Sequence, residues 1–290
     1  MLKPEKTERM LLAFVLALLA AAIFGPFVAQ SAHHHDFADR RVWGSIPFAM
    51  DVLSNLPFAL WGALGLACIL SLFRQKPVFT TQLALAALFF LGLLVTMAAS
   101  SWYHWSPNDS GLAFDRLGMT LAFAGLLGLA AAGCISSRAG LSLAAGVLVF
   151  GTVSIWVWAS NGNVLPWALL QFGGMAMVLW FAFVKALPGA LAVRWGVVIA
   201  IYALAKLLEL ADHQIYDLTS HLVSGHSLKH VVASFAAWPV LAALRVWVPG
   251  HQRSALHSQD FSAECLSSLQ QGQPRLFVRK LKSNPKRSQA

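Results

Sequence analysis

Eight apolar stretches, at roughly residues 10–31, 45–73, 80–104, 114–133, 140–160, 165–185, 194–213 and 226–247, constrain this chain more than any motif it carries. A membrane span takes about 20 apolar residues at about 1.5 Å of rise each, and the stretches reach or approach that length. Lipid offers no partner to an exposed backbone amide, and no barrel-like alternation is visible, so each stretch is expected to be a helix. A hydrophobic content of 58% against 11% charged residues excludes a soluble enzyme and a disordered or fibrous chain. The expected fold class is all-α: a polytopic membrane helix bundle, with a seven-transmembrane-helix core preceded by one extra N-terminal helix or signal segment.

The formal charge of +9 invites a nucleic-acid reading until its distribution is considered. Arg253, Arg275, Arg279, Lys280, Lys282, Lys286 and Arg287 lie beyond the last apolar stretch. Residues 248–290 therefore read as a basic, disordered cytoplasmic tail whose partners are anionic lipid headgroups, with no nucleic acid involved. Lys3, Lys6, Arg9, Arg74, Lys76, Arg138, Lys185, Arg194 and Arg245 fall on one side if the helices alternate, which makes that side cytoplasmic. Arg40 and Arg41 are the main exceptions. Residues 1–32 read as an N-terminal transmembrane helix or signal anchor, with a weak cleavage site at Gln30-Ser31-Ala32. The apolar run through Ile23, Phe24 and Phe27 favours an uncleaved helix. Residues 33–247 then form the seven-helix domain. The expected location is a bacterial inner membrane, with the C-terminus cytoplasmic. Cys68, Cys134 and Cys265 form neither a metal spacing nor a disulfide framework.

The acids and histidines between the first helix and the tail sort to one face. Under the alternating topology His33, His34, His35, His104, His213, His221, His226 and His230 all lie in outer loops or outer helix halves, as do the acids. Four positions carry chemistry there. His226-Ser-Leu-Lys-His230 puts two imidazoles one turn apart on one helix face, as a shared metal requires. His104, ending the third stretch, can supply a third ligand. Three histidines leave a fourth tetrahedral position to water, the arrangement of catalytic zinc; imidazole also suits copper, iron or nickel. Asp115 opens the fourth stretch and reads either as a proton-transfer group or as a helix N-cap. Ser100 lies one turn before His104, on the same face, as a packing residue or an oxyanion donor. Ser101 suits that spacing less well.

Lys206, Glu209 and His213 follow helical spacing, with Asp212 and Tyr216 nearby. They read as an ion-paired strut or as groups around the metal, with Asp212 or Glu209 orienting a ligand imidazole. His213 and His221 belong to the same possible outer set. His33-His34-His35 forms a rival metal loop, but consecutive side chains point apart, which favours a solvated segment. Gly173 and Gly174 suit either close helix packing or approach of a lipid chain.

Ser100-x-x-x-His104, Asp115 eleven residues later and His226-x-x-x-His230 in the last helix resemble the alkaline ceramidase family, part of the CREST superfamily of seven-helix membrane hydrolases. Ser54-Asn55-Leu56 and Asp212 are similar to that family as well. The resemblance covers roughly residues 33–247. It implies a zinc ion held by His104, His226 and His230, with Asp115 and Ser100 beside the attacking water. Two departures stand out. Phe48 falls about where eukaryotic members carry a calcium-binding glutamate, which argues against calcium despite Asp36 and Asp39. Ser227, Leu228 and Lys229 replace aromatic residues between the last two histidines.

The resulting expectation is a zinc-dependent intramembrane amidase that hydrolyses ceramide-like lipids, entering from the bilayer, to a sphingoid base and a fatty acid. The alternatives are a receptor-like or haemolysin-III-like member acting on another lipid, and a metal or proton transporter. A transporter needs polar residues through both membrane halves, and the inner half is almost bare of acids and histidines.

Overall fold

The computed structural model describes residues 4–75 and 80–247. Lys3, Lys76 and the basic tail with Cys265 lie outside them. The helices are α1 (Pro4–Phe24), α2 (Ala49–Leu53), α3 (Leu56–Gln75), α4 (Thr81–Trp105), α5 (Asp109–Cys134), α6 (Ser137–Asn161), α7 (Leu165–Phe183), α8 (Trp195–Leu210), α9 (Asp212–Leu218), α10 (Gly225–Ser234) and α11 (Trp238–Arg245). Among the described residues, α1, α2 with α3, α4, α5, α6, α7, and α10 with α11 are long and apolar enough to cross a membrane. At 16 residues α8 is shorter, and α9 extends it beyond a break at Ala211. The chain is an all-α membrane helix bundle with an additional N-terminal helix.

Polar side chains set where helices begin. Asn108 accepts from the Gly111 amide at 2.9 Å, Ser136 from Ala139 at 3.1 Å and Ser224 from Ser227 at 2.9 Å, each relieving an orphan N–H of a first turn. The first of these corrects the reading of Asp115 as a cap. Helix α5 starts at Asp109 rather than near residue 114, so Asp115 lies in its second turn, buried.

Small residues set how closely helices approach. Gly111, Gly118 and Gly125 recur every seventh residue of α5 and meet α4. A Cβ on Gly118 would lie 2.9 Å from the Thr96 Cα, and one on Gly125 only 2.2 Å from the Phe89 amide nitrogen. In reverse, Gly92 of α4 meets the Ala122 backbone. Such contacts replace the hydrophobic driving force that lipid does not supply. They hold the Ser100–His104 end of α4 against the Asp115 end of α5. Of the paired glycines on α7, Gly173 receives Leu18 of α1, which accounts for it by helix packing.

Among the described residues, three spans are interrupted. α2 gives way to α3 at Ser54 and Asn55, whose side chains both donate to the Asp51 carbonyl, at 3.0 and 2.9 Å. α8 breaks at Ala211, and Gly225 lodges there so tightly that a Cβ would lie 2.2 Å from the Leu208 carbonyl oxygen. A 3₁₀ turn over Phe235–Ala237 precedes Pro239 in the last span.

The segment between α1 and α2 folds over the same end of the bundle. Val28 pairs with the α6–α7 turn through Asn163 and Val164. Arg116 donates to Gln30 at 2.6 Å, with its guanidinium 4.2 Å from the Trp158 ring centroid. Fully buried Asp39 binds Arg41 through both carboxylate oxygens, and Arg41 donates onward to the Leu222 carbonyl at 2.8 Å. The hydrogen bonds to Asp39 raise the Arg41 pKa above its ordinary value, keeping the clamp charged.

Gly125→Ala should therefore lower stability by roughly 1–3 kcal/mol, as overpacking against backbone does. Gly146→Ala, where a Cβ meets open space, should be neutral or stabilising. Thermal unfolding of the two purified variants in detergent checks the contrast.

Candidate metal centre

His104, His226 and His230 converge from α4 and α10 at this end of the bundle. All three are buried, and one potential ligand atom from each lies within 4.8 Å of the others. Their ring centroids stand 4.8, 4.9 and 4.8 Å apart, with the rings edge to face. Nε2 of His104 and Nε2 of His226 are 3.3 Å apart. Tetrahedral coordination with metal–nitrogen bonds of about 2.0–2.1 Å requires neighbouring ligand atoms about 3.3–3.4 Å apart. Three buried imidazoles so arranged can hold a metal ion.

Each ring is oriented by a different part of the fold. The Ser54 hydroxyl donates to the Asp51 carbonyl and lies 2.9 Å from Nδ1 of His230. With its proton committed to Asp51, that oxygen accepts from His230 Nδ1–H, which leaves Nε2 bare for a metal. His226 is set through its backbone: its amide donates to Asp212 Oδ1 at 2.7 Å. The other Asp212 oxygen accepts from the Ala38 amide at 3.0 Å, tying the N-terminal segment to the start of α10. Asp51 works alongside, accepting from Ser227 at 2.6 Å. His104 Nδ1 has no partner among the described residues, so nothing competes for that ring. Phe37 lies edge-on over His104 and His226, with centroids 4.7 and 4.5 Å away, and covers the cluster beneath the N-terminal segment.

Asp115 and Ser100 stand beside the trio rather than within it. The Ser100 hydroxyl and the Asp115 carboxyl face the same cavity across the tight α4–α5 contact. Both line a cavity of about 100 Å³ together with His230, Thr96, Tyr202, Lys206, Glu209 and Lys229. Its far end is apolar, walled by Phe89, Leu93, Met119 and Phe123. A second cavity, of about 40 Å³, shares Phe123, Leu126, Gln171 and Tyr202 with it and runs on between α7 and α8. The cluster is thus roofed on one side and borders an apolar passage on the other.

The remaining outer polar residues separate by contact. Asp212 supports His226 through the amide, not the imidazole as the spacing suggested. Glu209 touches no ligand ring; it pairs with Lys206 and Lys229. His213 bonds the Asp36 carbonyl and exposed His221 pairs with Asp217, so neither joins the centre. In the rival loop, His35 bonds Tyr103 and Asp109, while His33 and His34 are exposed. Ser101 bonds the Val52 carbonyl. Sequence reasoning missed Asp51, Phe37 and the task of Ser54. Only the Ser54-Asn55 pair before Pro57, a place where a helix must break, offered a signal.

The purified protein should carry about one metal ion per chain, a stoichiometry lost in His104→Ala, His226→Ala and His230→Ala. Ser54→Ala, which frees His230 to turn or change tautomer, should weaken metal affinity about 10–100-fold. Metal analysis and chelator competition measure both, and full loading of the histidine variants would place the metal elsewhere.

No protein-family model matches the chain, and no curated protein matches it.

Proposed function

We propose that this protein is a zinc-dependent intramembrane amidase that hydrolyses the amide bond of ceramide-like lipids to a sphingoid base and a fatty acid. The observation that carries the reading is the shared cavity: one wall is a metal-competent imidazole, another a carboxyl–hydroxyl pair, and the rest apolar. His104, His226 and His230 would hold the zinc ion, which when bound would supply a Lewis acid and make a water near it more acidic. Asp115 takes a proton from the attacking water and returns it to the leaving amine, a base turned acid. Ser100 orients Asp115 while the carboxylate is charged. Once Asp115 is protonated the hydroxyl is released to donate to the carbonyl oxygen as that oxygen gains charge. The apolar passage takes an aliphatic chain from the bilayer. Phe37 and the buried histidines keep bulk water from that side. Hydrolysis is supported by the site, and ceramide by the resemblance of the motif spacing.

The bias of the basic residues supports an orientation with the helix ends opposite the centre in the cytoplasm and the centre toward the outer face of a cell membrane. Reporter fusions after residues 76 and 163 should read inside and outside respectively; the reverse pattern would overturn that orientation.

Activity is tested by incubating the purified, zinc-loaded protein with mixed ceramides and other lipid amides, with products read by mass spectrometry. Release of free base and fatty acid is expected, and no cleavage of any lipid amide would reject the reading. Asp115→Asn keeps the size of the buried side chain but cannot take the proton. It should retain metal while turnover falls about 10²–10⁴-fold. Near-normal hydrolysis by the metal-loaded variant would remove Asp115 from the mechanism.

A further inference from the structure

The polar end of the cavity gathers two ammonium groups around one carboxylate, Glu209, while the cavity's other carboxyl, Asp115, forms no ion pair with either lysine. Lys206 of α8 pairs with Glu209 Oε2, and Lys229 of α10 donates to Glu209 Oε1 at 2.7 Å. Both oxygens of one carboxylate are thereby engaged by two ammonium groups. Among the described residues, neither ammonium pairs with a second carboxylate. The three side chains are only 19–26% exposed. An unbalanced ammonium in such a place is costly, and ionisable groups at membrane depth are retained mainly for function. Each ammonium has three N–H donors, and one from each is committed to Glu209.

The location assigns the surplus. Lys206, Glu209 and Lys229 line the same cavity as Ser100, Asp115 and His230, and Lys229 directly precedes His230 on α10. A molecule seated with its chain along Phe89, Leu93 and Phe123 would present its polar end to both lysines. In the ion-paired group itself two cations meet one anion, and one further anion seated at the lysines completes that local balance. A neutral diol headgroup would leave the balance open.

We propose that Lys206 and Lys229 form an anion subsite, so that the preferred substrate is a lipid amide whose polar end carries an acidic group. The part concerning the substrate rests on the amidase reading; the subsite itself does not. Glu209 is a positioning residue there, holding the two ammonium groups side by side while cancelling one charge.

The test uses full-length, metal-loaded protein in neutral detergent micelles and compares binding of hexadecyl phosphate with hexadecanol. Neither is an amide, so the result does not depend on turnover. The phosphate should bind at least about tenfold more tightly. That advantage should shrink in Lys229→Gln and in the Lys206→Gln/Lys229→Gln double variant, and grow in Glu209→Gln, which frees both lysines. Equal affinity for the two amphiphiles would overturn the subsite. So would an advantage that survives the double variant, since the phosphate would then be held by the metal alone. Should the double variant fail to fold, the Glu209→Gln protein decides, because a strut without anion affinity predicts no gain there. In turnover, the ratio of kcat/KM for a phosphorylated ceramide to that for the neutral ceramide should fall about tenfold in Lys229→Gln. Selective binding of the phosphate without cleavage of any lipid amide would keep the subsite and reject the amidase. Cleavage without charge selectivity would do the opposite.

Discussion

Backbone groups inside a bilayer must find partners within the protein, and that requirement governs where this fold can depart from regular helix. Departures are confined to places where polar side chains or tight packing are at hand. At Ser54 and Asn55 the interrupted turn is closed by two side chains on one carbonyl, that of Asp51. At Ala211 the break sets the start of α9, so that Asp212 faces the first turn of α10 and accepts from the His226 amide. Both irregularities end on a histidine of the candidate metal centre: the first holds the His230 ring and the second the His226 backbone. The interruptions thus do two things at once, satisfying the backbone and fixing the imidazoles.

The same economy operates between α4 and α5. Glycine at every seventh position of α5 admits the α4 backbone, and the close approach brings Ser100 and Asp115 to one cavity. A carboxyl buried in a span needs a donor, and the contact sets a hydroxyl on the same cavity without a separate loop. His104 is carried by the same helix face as Ser100, one turn later. Spacing along α4 and proximity between helices together bring His104 within one turn of the hydroxyl that lines the cavity with the carboxyl, where the lining histidine is His230.

Helix positions were readable because the bilayer imposes length and hydropathy on each span, and each of the eight stretches overlaps observed helices. The first does so least well, since α1 ends at Phe24 and leaves Phe27 and the rest of that stretch outside it. Boundaries were less readable. Helix α5 begins five residues before its apolar run, because Asn108 and Asp109 are polar yet lie at the helix start, where capping favours them. Within the centre, His226 and His230 were readable from a one-turn spacing. The hydrogen bond from His230 to Ser54 was not, since 176 residues separate the partners and no local pattern encodes their contact. Phe37 was unreadable for a related reason. It lies in an irregular segment, and its place over the histidines depends on Asp39 and Arg41 being locked to a loop near residue 222. Glu209 showed the limit of spacing arguments. Its i, i+3 relation to Lys206 was visible, but the second lysine comes from α10 and changes a neutral pair into a charged group.

That difference bears on what a centre in this position can act upon. Covered by Phe37 on one side, the histidine cluster meets the largely apolar cavity at His230. Charges inside such a cavity are screened weakly, so each one discriminates more strongly among ligands than it would at a surface. A lipid chain gives little to distinguish one amphiphile from another, because an added methylene contributes only about 0.8 kcal/mol. Selectivity must therefore come from the polar end. There the fold has placed two ammonium groups and two carboxyls around one cavity, one carboxyl bound to both lysines and the other on the wall that carries Ser100. The carboxyl left without a cation is Asp115, the one whose proposed task requires it to gain and lose a proton. Pairing it with a lysine would stabilise its charged form and weaken it as a base. The separation of Glu209 with its lysines from Asp115 and Ser100 is thus what the proposed reading depends on, with charge bound at one wall and protons transferred at another.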